Sequence, residues 1–265
     1  AITSLIAGYA FVLNPYLPII FCFIANIIST ILATRFRSIK LQNEQVEVKE
    51  GVREYFRQLG EAIRFTKKSK RIFCLLLYFG LVSGLIYNLT TFRSSVLEGI
   101  SIPEHYFGII FAISQMVAAI CAKAQIFIHK RFRNKTLAVL GIPLTISCII
   151  IGFLAMIGTS TTFKVIIVLL FVFQGAIKGA YNVLIYRYLN NFTNRKIRTK
   201  LATIRNMFYN ISSILISLFG AMLLNYTDSA NTIIIVGCMM TILIILLLDY
   251  MRGKVGLKPE QYKKE

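Results

Sequence analysis

Residues 136–157 read TLAVLGIPLTISCIIIGFLAMI, 22 residues without a charged side chain. Crossing a hydrocarbon layer about 30 Å thick takes roughly 20 apolar residues of helix, so this stretch is long enough to span a bilayer. Its borders give it a direction. HKRFRNK, 129–135, precedes it with four basic residues, and GTSTT, 158–162, follows it with none. Lys and Arg accumulate at the cytoplasmic ends of membrane helices, which puts residue 136 inside and residue 157 outside.

The same reading extends outward in both directions. Apolar runs of spanning length occupy 17–34, 72–92, 106–128, 163–186, 202–224 and 232–250. With 136–157 they make seven spans. AITSLIAGYAFVL, 1–13, is too short to cross and has no basic flank, initiating Met or cleavage site. It is therefore not a signal peptide. It reads as the end of a helix, and the chain is expected to be a fragment of a longer protein.

Composition agrees. Of 265 residues (30.0 kDa) 56% are apolar and 15% charged, and the mean hydropathy is +0.68. A soluble domain carries about 25% charged residues. Low hydrophobicity is the mark of disorder, so that class is excluded too. The net charge of +19 would suit a nucleic-acid partner only if the basic residues were not separated by long apolar runs. Nucleic acid is therefore not expected as a partner. Cys22, Cys74, Cys121, Cys148 and Cys238 each lie in an apolar run and none pairs in a C-x-x-C. They read as small buried hydrophobes, with no metal or disulfide role.

The charges test the span count. Eleven Lys and Arg fall in 35–71, four in 129–135, six in 187–205 and five from 251 onward, together 26 of the 30. Seven spans put all four regions on one side, which the positive-inside bias makes cytoplasmic. The opposite side is left with Arg93 and Lys164 beside Glu98, Glu104 and Asp228, while Lys123 and Lys178 fall within spans.

The long basic connection has its own pattern. Val52, Tyr55, Phe56, Leu59 and Ile63 recur at helical spacing, with Arg53, Arg57, Arg64, Lys67 and Lys68 on other faces. A helix lying on the membrane surface would look like this, and so would one packed against the bundle. Residues 38–50 are polar and read as a linker. The chain thus divides into 1–36, a connection over 37–71, a six-span bundle over 72–252 and a tail over 253–265.

One span and a stub, a long basic connection and then six spans resemble the major facilitator superfamily, whose members join two six-helix halves by a long cytoplasmic loop. The best local match is YRYLNNFTNRKIRTKLATIRNMFYNISSILISLFGAMLLN, 186–225, which is similar to the start of the eleventh helix of efflux-type members. Arg198, Thr199, Ala202 and Thr203 stand where that group has R-A-T, with altered spacing. AGYAF, 7–11, resembles the small-residue end of the antiporter helix-five motif. HKRFRNK, 129–135, stands where a degenerate basic motif occurs but lacks its Gly and Asp. The resemblance implies an all-α polytopic bundle. It would comprise a partial fifth helix, a full sixth and the whole second half, with a missing N-terminal half of the same transporter as partner. It also implies a secondary carrier in the cell membrane that moves a small molecule, with efflux the expected direction and protons a possible coupling ion.

Polar groups inside spans are costly and usually face a cavity or another helix. In 163–186, Gln174, Lys178, Tyr181 and Asn182 share one helix face, with Gly175 and Gly179 beside them. The resemblance places this tenth helix at the central cavity, so the face is a candidate substrate surface. Alternatively Lys178 snorkels to the headgroups. In 72–92, Gly80 and Gly84 suit a packing seam, and Tyr87 and Asn88 suit a cavity. Gln115 joins them from 106–128. Lys123 is read as snorkelling and Arg205 as interfacial. Within lipid depth the spans 136–157 and 232–250 hold only hydroxyls, one Cys each and Pro143, and they suit peripheral helices. No Asp or Glu lies at mid-depth in any span. A protonatable carboxylate for coupling is therefore expected in the missing half.

Other classes have less support. No H-E-x-x-H, Ser/His/Asp set or phosphate loop is present, and both histidines fall in loops. No catalytic, cofactor or metal site is expected. A non-transporting membrane fragment or scaffold, an uptake symporter and a membrane enzyme remain as alternatives.

Overall fold

A computed structural model of the chain describes residues 2–14, 16–35, 57, 60, 64, 70–158, 160–191 and 195–252. The surface helix expected over 51–70, the linker before it and the tail lie outside the described residues. Among the described residues eight α-helices follow one another: α1 (Ile2–Leu13), α2 (Leu17–Thr34), α3 (Lys70–Gly99), α4 (His105–Phe132), α5 (Thr136–Ile157), α6 (Thr161–Asn191), α7 (Arg195–Leu224) and α8 (Ser229–Met251). Among the described residues seven helices are long and apolar enough to cross a membrane, and α1 is the short one. The all-α bundle read from the sequence is the fold observed.

The helices outrun the apolar runs. α3 continues seven residues beyond Phe92, to Gly99. No proline interrupts it before Pro103, and Leu89, Arg93, Val96 and Ile100 keep the buried stripe at helical spacing. This corrects the reading of Arg93 as a loop residue: it is inside the bundle and 8% exposed. Likewise the basic connection after α4 is mostly helix. His129, Lys130 and Arg131 form its last turn, where cations suit the helix dipole, and a 3₁₀ turn, Arg133–Lys135, leads into α5.

α3 is the hub. Most of its residues are buried, and it packs on α7 and α8. Its Tyr78 hydroxyl donates to the Leu137 carbonyl of α5 at 2.7 Å, which satisfies a buried polar tip. α4 packs chiefly on α6 and α5 chiefly on α8. Close approach explains the glycines. A Cβ on Gly80 would stand 2.8 Å from the Phe208 carbonyl oxygen of α7, and one on Gly179 would run into the Ala118 carbonyl of α4. Small residues let membrane helices meet backbone to backbone in this way. α5 and α8 pack on each other, and α5 is more buried than α4 or α7.

Candidate functional site

α3, α6 and α7 enclose an open cleft of about 300 Å³. α3 contributes Phe79, Ser83, Tyr87 and Thr90; α6 contributes Lys178, Asn182 and Tyr186; α7 contributes Asn206 and Tyr209. This volume lies at the lower end of the range for small-molecule sites, and the mixture of aromatic walls with a few polar groups is what such sites use. The rings of Tyr87 and Tyr209 meet edge to face, 6.0 Å apart at 90°. Tyr87 is 60% exposed, so its polar tip is available to the cleft.

A second, inner cavity of about 30 Å³ adjoins it. Arg93, Ser114, Gln115, Gln174 and Lys178 supply its polar lining. It has room for a water or two and no more. Lys178 and Thr90 line both spaces. Arg93, on α3, is held between α4 and α6. Its two amino groups donate to Ser114 Oγ at 3.3 Å and to the Phe171 carbonyl at 3.4 Å. Its Cζ stands 5.4 Å from the Phe111 ring centre and 5.0 Å from that of Phe171. Both hydrogen bonds are long for a charged donor, and its Nε has no partner among the described residues.

The residues singled out by spacing separate into two groups. Tyr87, Gln115, Gln174, Lys178 and Asn182 line one or other space. Gln174 is also tied to α5, its Nε2 donating to Ser147 Oγ at 2.9 Å. Tyr181 and Asn88 line neither. Tyr181 is fully buried, with its ring 6.2 Å from that of Tyr78 and its hydroxyl donating to the Phe79 carbonyl at 3.4 Å. The Asn88 amide joins α3 to α7, donating to the Ser213 carbonyl at 3.1 Å and to Gly84 of its own helix at 2.9 Å.

Two basic residues absent from that set stand at these spaces: Arg93 lines the inner cavity, and Arg205 lines neither but touches two residues of the cleft wall. The Arg205 Cζ lies 4.0 Å from the Tyr186 ring centre and 5.4 Å from that of Phe79, both cleft residues. Arg205 also donates to Asn206 Oδ1 at 3.3 Å. Lys123, in contrast, is exposed. Among the described residues no carboxylate lines the cleft or the inner cavity. Glu98 and Glu104 border a different hollow, about 460 Å³, between α1, α2, α3 and α4.

Comparison with known families gives one finding. The model of the Major Facilitator Superfamily matches residues 129–264. No curated protein and no solved structure matches the chain.

Proposed function

Because the chain belongs to the Major Facilitator Superfamily, a family of multi-pass membrane transporters, we propose that it forms the second half of a secondary carrier that exports a small molecule across the cell membrane. The α3–α6–α7 cleft is the substrate face of that half. The carrying observation is the cleft itself: about 300 Å³, walled by tyrosines, with Lys178 and Asn182 among its lining. In such carriers two repeats rock against each other around a site near the bilayer midplane. By helix rise Lys178 stands about 26 Å from the Thr161 end of α6 and about 20 Å from the Asn191 end, a depth that suits such a site.

The partner in this reading is a first six-helix half, to which α1 and α2 would belong. α1 packs on α4, and a Cβ on Gly8 would stand 3.1 Å from Gly108 Cα. A helix of one half can therefore lie against a helix of the other at backbone distance. The basic connections and tail would face the cytoplasm. Coupling to protons would need a carboxylate supplied by the first half, since the spans of this chain hold none at mid-depth.

The test is gradient-driven flux by the full-length protein in proteoliposomes, expressed per inserted molecule. Lys178→Met keeps most of the side-chain stem and removes the charge. Flux should fall at least tenfold in Lys178→Met and stay near normal in Lys123→Met. Equal, near-normal rates for both would remove Lys178 from the site.

A further inference from the structure

Three cations follow one another along the same seam of the bundle. Arg205 lies toward the Lys70 end of α3, stacked on Tyr186 and Phe79 at the cleft wall. Lys178 stands between the cleft and the inner cavity. Arg93 lies beyond it, about 9 Å of helix rise from the Gly99 end of α3. A cation held within a bundle is costly unless something compensates it. Here the compensation is incomplete: the Nε atoms of Arg93 and Arg205 are buried and have no partner among the described residues. The carboxylates nearest in the chain, Glu98 and Glu104, border another hollow. A cleft lined by one sign of charge and walled by low-dielectric material focuses its field and concentrates the opposite ion.

We propose that the solute is an organic anion with an aromatic or otherwise apolar body, and that its charged group passes along Arg205, Lys178 and Arg93. The inference rests on the transport reading above and adds the substrate class. The two spaces divide the solute between them. The larger cleft, with Phe79, Tyr87, Tyr186 and Tyr209, can take a ring system. The inner cavity is too small for a body and can admit only water or the oxygens of a carboxylate, sulfonate or phosphate. Lys178 is then the first contact for the anionic group of a solute seated in the cleft. Arg93, with a free donor and two flanking rings, is the next station when the bundle rearranges. Arg205 is the point of entry from the basic side.

A matched panel tests this: 2-naphthoate, 2-naphthalenesulfonate and 2-naphthyl phosphate against neutral 2-naphthamide and cationic 2-naphthylmethylamine. Binding to the purified full-length protein can be read from the change in the probe's own naphthyl emission on direct excitation. At least one anion should bind tenfold or more tighter than the amide. Lys178→Gln and Arg93→Gln should each bring that ratio to within twofold, through loss of anion affinity. Binding of the amide or the amine as tightly as every anion, or binding of no member, overturns the proposal. So does an equal loss for charged and neutral members in both variants, which would mean that the cations pair with protein carboxylates. Flux of the same compounds separates the two readings. Anion-selective binding without gradient-driven flux leaves the anion site standing and removes transport. Flux without charge preference does the reverse.

Discussion

Arg93 meets Phe171 twice: an amino group donates to its carbonyl at 3.4 Å, and the guanidinium carbon stands 5.0 Å from its ring centre. One residue of α6 thus engages both the donor edge and the flat face of the cation, the geometry that separates arginine from lysine. The Ser114 hydroxyl, which also donates to that carbonyl at 3.4 Å, completes a joint between α3, α4 and α6.

The joint makes a stability prediction that separates a strut from a binding group. Replacing a buried charge with an apolar residue of similar size is often neutral or stabilising, because the desolvation cost disappears. Arg93→Met should therefore keep or raise the thermal midpoint in detergent, since Ser114 can still bond Phe171, while transport falls at least tenfold. Arg93→Lys keeps a charge but loses the two-pronged fit, and its midpoint should drop. Unfolding of Arg93→Met would assign the arginine to structure.

Asn88 gives the opposite expectation. Its amide joins α3 to Ser213 of α7 and lines neither space. Side-chain hydrogen bonds between membrane helices contribute about 0.6 kcal/mol on average and at most about 1.7. Asn88→Leu should lower stability by an amount in that range and leave solute affinity within about twofold. A tenfold loss of affinity at unchanged stability would return Asn88 to the site.

Seven spans were legible because each is a long uncharged run and because loop charge alternates with it. Within spans, spacing alone could not separate neighbours on one stripe. Tyr181 and Asn182 are adjacent in sequence, yet a rotation of about 100° per residue turns the first between α3 and α6 and the second toward the cleft. In the sequence the charge of Arg93 marks an apparent end to the span, which hides its place in the bundle. Val96 and Leu97 three and four residues later, continuing the stripe of Leu89, are the signal that the helix and its buried face run on. Arg205 reads as an interfacial group in the sequence because it stands near the basic start of its span. Its rings, Phe79 and Tyr186, come from two other helices, and no local pattern contains that information.

The charge count predicts sidedness. With 26 of 30 basic residues in four alternate connections, those connections should face the cytoplasm. Cys22 and Cys238 are exposed on the helices, so the measurement needs a cysteine-free background. Single cysteines at Gln45 and Lys263 should resist an impermeant thiol reagent in intact cells and react after permeabilisation. One at Glu104, across the membrane, should react in both. Labelling of Gln45 and Lys263 in intact cells would reverse the topology.

The α4–α6 contact should be the least tolerant of added volume. A Cβ on Gly175 would stand 2.6 Å from the Ser114 carbonyl oxygen, and one on Gly179 would overlap the Ala118 carbonyl. Both obstacles are backbone, so no rotamer change can relieve them and the helices must part. Forcing extra methyl groups into a filled contact costs about 1–3 kcal/mol. Gly179→Ala should lower the thermal midpoint in detergent by several degrees. Gly158→Ala, where the nearest side-chain atom is an ordinary 3.9 Å away, should leave it unchanged. Gly175→Ala carries an added consequence. It pushes on Ser114, the residue that receives one amino group of Arg93, so it should reduce anion affinity as well as stability. Gly179→Ala should reduce stability alone. Matching midpoints for Gly179→Ala and Gly158→Ala would mean that α4 and α6 are not in backbone contact, and the joint at Arg93 would lose its support.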